Sequence, residues 1–169
     1  MQGELLFHIK KECKRRLIEE SIPRIIQCLN KLSDVEIWYR PNSNTVSVGN
    51  LVLHLCGNVR QWVFSGIFGA QDTRERHLEF ETQGPLEKEF LLNKLTELSR
   101  DLNHALDNLT YEHLTQMKSV QGFDESVIGI LLHVVEHFSY HTGQIVYYTK
   151  SRKDVDMAFY ADLDLDVTS

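Results

Sequence analysis

The sequence predicts an all-α protein, a four-helix bundle in which residues 1–169 form a single domain. Three observations lead to this prediction. Apolar residues recur three and four positions apart in four long segments, connections of moderate length join these segments, and no internal repeat or change of composition marks a second domain. A chain of 169 residues is also long enough to bury a core of ordinary size within one domain.

The first predicted helix runs from about Gly3 to Leu32 and carries an apolar stripe, and Pro23 is expected to kink it. The next segment, Ser33 to Val46, contains an arginine–proline pair and a cluster of asparagine and serine, which favour a loop. The second helix is predicted to begin near Ser47, a favourable N-cap residue, and to end at about Phe68.

A polar loop from Gly69 to Gly84 leads to the third predicted helix. Gly84 is the expected cap of this helix, Pro85 falls in its first turn, and Glu87 suits the positive end of the helix dipole. The apolar residues that follow alternate by four and three, which is the spacing of a packed bundle helix. They are Leu91, Leu95, Leu98, Leu102, Ala105 and Leu109.

The fourth helix is predicted to begin at Asp124 as its N-cap, with Phe123 and Ile128 placed for a hydrophobic staple. It extends to about Arg152. Residues 154–169 are rich in aspartate and are expected to form a short acidic C-terminal tail without regular structure.

The formal net charge of −6 argues against nucleic-acid binding, because a protein that holds the phosphate backbone needs a basic surface. The three cysteines are odd in number and show no CxxC spacing, which indicates a reducing compartment rather than a disulfide framework. The N-terminus lacks the apolar core of a signal peptide, and no apolar run is long enough to span a bilayer. We therefore expect a cytoplasmic protein that binds neither nucleic acid nor membrane.

Three histidines, His133, His137 and His141, recur every four residues in the fourth predicted helix and therefore share one face. Imidazole is the commonest metal ligand among side chains, and two histidines four residues apart can converge on one ion. The outer two lie about 12 Å apart along the helix axis, which is too far for both to reach one zinc ion. Two candidate pairs remain, and a third ligand must come from another helix.

The second predicted helix offers His54, which borders the apolar stripe, with Asn50 and Asn58 one turn to either side and Gly57 available for a close helix approach. Combined with His137 and His141, His54 would complete a set of three neutral nitrogens. Such a set leaves one coordination position open, as catalytic zinc sites do.

Two other interpretations use the same residues. His133, Glu136 and His137 match the H-x-x-E-H pattern of inverzincin metallopeptidases, in which two histidines bind zinc and the glutamate is a general base. Alternatively, the histidines serve as hydrogen-bonded core residues or as ligands in a helical bundle without catalytic activity. In this second case Glu136 orients a neighbouring histidine or faces solvent.

Two segments, Ser47–Asn58 and His137–Ile145, resemble the DinB/YfiT-like superfamily of four-helix-bundle metalloproteins. In that family one histidine on the second helix and an HxxxH pair just before a Gly-Gln dipeptide bind a divalent metal. The resemblance therefore implies His54, His137 and His141 as ligands and leaves His133 in a supporting or core role. Where many members have an arginine that precedes the glycine, this chain has Thr142.

The resemblance implies a metal-dependent enzyme, either a transferase that uses a low-molecular-weight thiol as co-substrate or a hydrolase. Zinc, or alternatively nickel, is the expected metal, and its open position would take water or a thiol. Asn50, Asn58 and Gln144 are candidates for positioning the ligand rings or a small-molecule substrate. A homodimer is expected by analogy. The alternative remains a bundle that binds a metal or ligand without turnover.

Overall fold

Four long helices dominate the computed structural model of the protein, which describes residues 2–168. The first and second long helices each contain a π-helical stretch, whereas the third and fourth are α-helical throughout. Their segments are α1 (Gln2–Lys14), a π-helical stretch (Arg15–Ser21), α2 (Ile22–Lys31), α4 (Val48–Val59), a second π-helical stretch (Arg60–Ile67), α6 (Lys88–Asp107) and α8 (Val127–Lys153). The short elements are α3 (Asp34–Trp38), α5 (Arg76–Glu81), α7 (Tyr111–Leu114), β1 (Met117–Val120) and β2 (Phe123–Ser126).

The long helices form a bundle in which α2 and α4 each pack against both α6 and α8. The first and second long helices therefore occupy opposite corners, and the fourth lies between them. Its residues Val134, Phe138 and Ile145 are at most 1% exposed and point into the shared apolar core. The all-α prediction is confirmed, and the second and fourth long helices are brought side by side. Among the described residues, no helix has the length and apolar character needed to cross a lipid bilayer.

The N-terminus of α4 agrees with the prediction from Ser47. The Ser47 hydroxyl accepts a hydrogen bond from the Asn50 backbone N–H at 3.1 Å, and the Asn50 side chain accepts from the Ser47 backbone N–H at 3.2 Å. This reciprocal capping box satisfies two backbone donors that the first turn of a helix leaves without partners. It also fixes the register in which His54 follows one turn later.

The predicted start of the fourth helix is wrong. Residues 117–126 form an antiparallel hairpin, and α8 begins at Val127 with Ser126 as its N-cap. Gln121 and Gly122, both with positive φ, make the two-residue turn. Asp124 therefore lies within a strand, and Phe123 is paired with Val120 rather than placed for a staple. The strands are only four residues each, too short for their alternation to stand out in the sequence.

The predicted start of the third helix is also wrong. Glu87 is the N-cap of α6, and Gly84 lies before it in an irregular segment. Gly84 is required there for a different reason, because a Cβ at this position would overlap the Trp38 indole. Trp38 in turn donates its ring N–H to the Leu86 carbonyl at 2.9 Å. The glycine therefore permits a tertiary contact instead of capping a helix.

The C-terminal tail is irregular, as predicted, but part of it packs against the bundle. Met157 is 7% exposed and belongs to the core. Arg24 on α2 lies over the rings of Phe159 and Tyr160, at 5.1 and 5.0 Å from their centroids. The Arg24 guanidinium also donates to the Tyr160 hydroxyl at 3.0 Å. Apolar and aromatic residues between the aspartates thus anchor the tail.

Candidate metal centre

Three histidine side chains from two helices meet between α4 and α8. Each of these residues, His54, His137 and His141, offers one ring nitrogen, and the three nitrogens lie within 4.8 Å of one another. The Nε2 atoms of His54 and His137 are 2.9 Å apart, and the His141 ring centroid lies 5.2 Å from that of His54 and 4.6 Å from that of His137. His54 is buried, whereas the other two rings are half-buried. The cluster is therefore the group that sequence spacing and family resemblance predicted.

The position of the cluster follows from the helix periodicity of α8. Each of the three histidines of α8 is followed directly by a buried residue of the core face. The successive pairs are His133–Val134, His137–Phe138 and His141–Thr142. Consecutive residues differ by about 100° around a helix axis, so the histidines line the flank beside the core face. That flank faces α4. Thr142 lies inside, where its hydroxyl donates to the Phe138 carbonyl at 2.8 Å, so its side chain does not face the cluster.

The orientation of the His54 ring is set by Glu79. The His54 Nδ1 atom lies 2.9 Å from Oε2 of Glu79, and a carboxylate can only accept hydrogen bonds. This contact places the ring proton on Nδ1 and leaves the Nε2 lone pair directed toward His137. A carboxylate behind a histidine is the usual device by which proteins fix the tautomer of a metal ligand.

Glu79 is itself held by Arg74. The Arg74 Nε and Nη2 atoms donate to the two carboxylate oxygens at 2.7 and 2.9 Å, and Nη2 also lies 3.2 Å from His54 Nδ1. Burial raises the pKa of Glu79, but the hydrogen bonds from Arg74 and His54 outweigh this effect, so the pKa lies below its ordinary value. Glu79 is therefore a carboxylate near neutral pH, and its charge is balanced within the fold.

The His141 ring is oriented by Gln144 one turn later on α8. Its Nδ1 atom lies 2.7 Å from Oε1 of Gln144. A carbonyl oxygen only accepts hydrogen bonds, so this contact keeps the ring proton on Nδ1 and leaves the Nε2 lone pair free to bind a metal. Gln144, for which the sequence suggested a role in positioning a ligand ring, is therefore placed to hold the ring of a candidate ligand.

The other predicted supporting residues have different surroundings. Asn50 is buried and donates to the backbone carbonyls of Glu79 and Thr82, both at 2.9 Å, so it acts on the segment that carries Glu79. Asn58 is buried and its amide lies 3.5 Å from Nε2 of His133. Both asparagines therefore contact protein groups around the cluster. Each lies one helical turn from His54, as the sequence predicts.

His133 lies beside the cluster and is packed between aromatic rings. It stacks on Trp62 with a centroid distance of 3.9 Å and on His137 with a distance of 5.4 Å. Its ring is nearly parallel to that of His137, with an interplanar angle of 16°, so the two rings lie face to face. Glu136 is exposed. This arrangement favours the pair of His137 with His141 over the H-x-x-E-H pair.

The cysteines have no part in the cluster. Cys56, two residues after His54, is buried, and burial raises the pKa of its thiol to about 12. Burial also raises the pKa of Cys13 to about 11 and that of Cys28 above its ordinary value. Thiolates are the forms that bind metals and attack electrophiles, so these three thiols are unreactive near neutral pH.

The donor set fits a divalent transition metal. Three imidazole nitrogens suit zinc and also suit nickel. Two nitrogens bound to a tetrahedral zinc ion, each at about 2.0–2.1 Å from it, are about 3.3 Å apart. The Nε2 atoms of His54 and His137 are 2.9 Å apart, so they would need to separate only slightly to bind the ion. Such a set leaves at least one position free for another ligand.

Sequence reasoning did not identify Arg74 and Glu79. They lie 20 and 25 residues from His54, in a segment that the sequence predicts to be a polar loop. The one available signal is Gly57, from which the sequence predicts a close approach of two helices. A Cβ at Gly57 would instead overlap Oε1 of Glu79 and lie 3.0 Å from Nε of Arg74.

A wide cleft runs beside α4, and none of the three histidines of the cluster lines it. It has a volume of about 1320 Å³ and runs between the second and third long helices. Gly57, Arg74 and Glu79 line it, whereas His54, His137 and His141 do not. The Arg74–Glu79 pair therefore separates this cleft from the histidine cluster.

Gly57→Ala is expected to destabilise the protein by about 1–3 kcal/mol, because the added methyl group must displace the Glu79 carboxylate. Alanine in place of glycine inside a helix would otherwise stabilise by about 1 kcal/mol. Gly143→Ala is the matched control, since a Cβ there meets no atom within 4 Å and should stabilise by about 0.5–1 kcal/mol. Urea denaturation of both variants measures the difference, and equal stabilisation by both would contradict the assigned contact.

The stability of the metal-free protein is expected to fall as the pH is lowered from about 6.5 toward about 3. Burial, and next the neighbouring His141, lower the pKa of His137 to about 3. A histidine in the unfolded chain has a pKa near 6.5, so between these values the unfolded chain binds more protons than the folded one. In His137→Gln this contribution is absent, and the free energy of unfolding should depend less steeply on pH. Denaturation between about pH 4 and about pH 7 tests this, and unchanged slopes would contradict it.

Comparison with known proteins adds two findings. A family model described as "Protein of unknown function (DUF1572)" matches residues 11–161. The crystal structure of a DinB-like protein from Bacillus cereus ATCC 10987, at 2.01 Å resolution, is similar with a TM-score of 0.62 and 15% sequence identity, covering 78% of this chain and 85% of that one. At this identity the likeness shows the fold alone. No curated protein matches the chain at a significant level.

The structural likeness confirms the DinB-like fold that the two histidine-bearing segments indicated. The fold is shared over most of both chains, and the family model extends from α1 to the tail that follows α8. The chain therefore belongs to the family described as Protein of unknown function (DUF1572), and its helical bundle is of the DinB-like type.

Proposed function

We propose that the protein is a metal-dependent enzyme that holds one divalent cation, zinc in the first instance and nickel as the alternative, on His54, His137 and His141. The observation that carries this proposal is the convergence of three ring nitrogens within 4.8 Å, with the His54 ring held by a buried carboxylate. Two Nε2 atoms at 2.9 Å cannot both present lone pairs to each other without a proton or a cation between them. A cation at this point would satisfy all three rings.

The protein supplies the cluster with an apolar and partly closed environment. Phe80 lies against His54 with a ring distance of 4.9 Å, and Trp62 backs His133. When bound in such a site, a divalent cation lowers the pKa of a coordinated water or thiol and so yields a nucleophile near neutral pH. The role of Glu79 and Gln144 is to keep Nε2 of His54 and of His141 free of protons, which coordination requires.

The reaction proposed is transfer of a low-molecular-weight thiol to a small electrophilic substrate, or hydrolysis if water takes the thiol's place. A thiol nucleophile would have to come from a co-substrate, because Cys13, Cys28 and Cys56 are all buried and the pKa of each is raised. His137 and His141 are half-buried rather than enclosed, so a small molecule could approach the cluster from their side.

A turnover screen with untagged, zinc-loaded or nickel-loaded protein tests this function. Electrophiles such as an alkyl halide and an epoxide are offered with cysteine, glutathione or coenzyme A, and ester and amide substrates are offered without thiol. Turnover that disappears on metal removal and in His137→Ala would support the enzyme. A raised melting temperature with metal and no turnover with any substrate would instead support a non-catalytic metal-binding bundle.

The same screen distinguishes the inverzincin interpretation. Peptidase activity that is abolished by Glu136→Gln while metal binding persists would assign the site to His133, Glu136 and His137. The exposed position of Glu136 and the stacking of His133 on Trp62 lead us to expect no such activity.

A further inference from the structure

The residues that orient His54 belong to one surface segment, residues 72–82, which includes the short helix α5. This segment packs along α4 and carries both Arg74 and Glu79. Neither residue comes from one of the four long helices. The side of His54 that faces away from the cluster is thus completed by a segment between the second and third long helices.

The C-terminal half of the 72–82 segment is fastened to the bundle by two side chains. The Asn50 amide donates to the carbonyls of Glu79 and Thr82, both at 2.9 Å. The Arg40 guanidinium donates to the Phe80 carbonyl and also to Oδ1 of Asn50. The bonds to the segment itself go to backbone carbonyls, so they fix the path of the chain at Glu79 whatever its side chain does.

The N-terminal half is fastened by Gln61 in the second long helix. Its amide donates to Oδ2 of Asp72 at 2.7 Å, and its carbonyl accepts from Nη1 of Arg74 at 2.9 Å. Asp72 also accepts from the Arg74 backbone N–H at 3.0 Å. Both ends of the segment are therefore tied to the helix that carries His54.

The Arg74–Glu79 pair is costly to bury. The side chains are 4% and 10% exposed, and taking two charges out of water is seldom repaid by their mutual attraction alone. Within residues 2–168, the Glu79 carboxylate contacts one polar side chain besides Arg74, that of His54, at 2.9 Å. The remaining hydrogen bond of this ion pair goes to a candidate metal ligand. Holding that ligand in place therefore explains the buried pair better than a contribution to folding stability does.

We propose that the 72–82 segment is a positioning element coupled to the metal centre. It delivers the Glu79 carboxylate that holds the Nδ1 proton of His54, so metal binds more tightly when the segment is in place. Binding free energies are reciprocal, so bound metal must stabilise the segment to the same extent. This inference rests on the proposed function, because it requires that His54, His137 and His141 bind a metal.

The test measures zinc affinity and hydrogen exchange in wild type, Glu79→Ala and Glu79→Gln. Loss of a residue that supports a metal ligand typically weakens affinity about 10–100-fold, and this is expected for Glu79→Ala. Glu79→Gln retains a carbonyl that accepts from His54 Nδ1, so it should bind zinc more tightly than Glu79→Ala. Glu75→Gln, an exposed charge in the same segment, is the matched control and should bind as wild type does.

The exchange measurement reports the reciprocal effect without any assay of activity. In wild type, saturating zinc is expected to slow amide exchange in residues 72–82. In Glu79→Ala, zinc at a saturating concentration should leave exchange in the segment unchanged. A merely structural role for Glu79 would lower the melting temperature of the metal-free protein but would not remove the zinc-dependent protection.

The outcomes separate this inference from the proposed function. If folded Glu79→Ala and Glu79→Gln bind zinc as tightly as wild type, the positioning role is wrong and the three-histidine site stands. If Glu79→Ala does not fold, the exchange measurement on wild type decides, and the absence of zinc-dependent protection in residues 72–82 shows that the positioning role is wrong. If wild type itself binds no zinc or nickel, the proposed function fails and the coupling fails with it.

Discussion

Replacing His137 with alanine is expected to abolish stoichiometric zinc binding, with a loss of affinity of at least about a hundredfold, or about 2.8 kcal/mol. His137 lies at the centre of the cluster, with Nε2 2.9 Å from that of His54 and its ring 4.6 Å from that of His141. Without it, two nitrogens from different helices remain, and two ligands rarely retain a metal alone. Metal analysis of untagged, dialysed protein and competition with a chelator of known affinity measure the change.

His133→Ala is the matched control on the same face of α8. His133 stacks on Trp62 and is outside the three-nitrogen cluster, so its removal should leave zinc binding within a few-fold of wild type. His54→Ala and His141→Ala should behave as His137→Ala does. Equal metal content in wild type and in the triple His→Ala variant would show that the cluster is not a metal site. Loss of metal on His133→Ala with none on His141→Ala would move the site to the H-x-x-E-H pair.

Phe138→Ala is expected to destabilise the protein by about 3–5 kcal/mol, the largest effect on folding that we predict. Phe138 is 1% exposed and belongs to the apolar core between α8 and its neighbours. Truncation to alanine loses the free energy of burying the ring and leaves a cavity that the close-packed helices can fill only in part. Urea denaturation of the metal-free protein, with the midpoint and slope both fitted, gives the change in free energy of unfolding.

Leu132→Ala provides the comparison within the same helix. Leu132 is 65% exposed, so its truncation should change stability by less than about 0.5 kcal/mol. Because Phe138 lies between His137 and His141, the destabilised variant should also bind zinc less tightly, in proportion to the fraction that remains folded. If Phe138→Ala were as stable as Leu132→Ala, the assignment of Phe138 to the core would be wrong.

The helical bundle was largely predictable because its signal is local. Apolar residues three and four apart are enough to define four long helices, and the N-cap at Ser47 follows from the side chain of one residue. The wrong boundaries occurred where long-range contacts override local preference. Asp124 would suit an N-cap, but its segment pairs with Met117–Val120 instead. Gly84 is needed to make room for the Trp38 indole and does not cap a helix.

The residues of the candidate site likewise divide into those that a sequence pattern predicts and those that it does not. His137 and His141 are one helical turn apart, so their spacing alone places them on one face. His54 was predicted from its place beside an apolar stripe and from the resemblance of its segment to a known family. Glu79 and Arg74 carry no such pattern, because they lie in a connecting segment where no periodicity relates a residue to the helix it covers.

The pattern of residues along the chain establishes the long amphipathic helices and places two histidines on one face of the last of them. Both properties depend on the geometry of a single helix, which is the same in any fold. Tertiary packing is needed to bring His54 to these two histidines and to place Glu79, which Arg74 holds, against the His54 ring. The contacts of His54 with Arg74, Glu79 and His137 join residues 20 or more positions apart, and they exist because packing the core brings α4 against α8 and lays the 72–82 segment along α4.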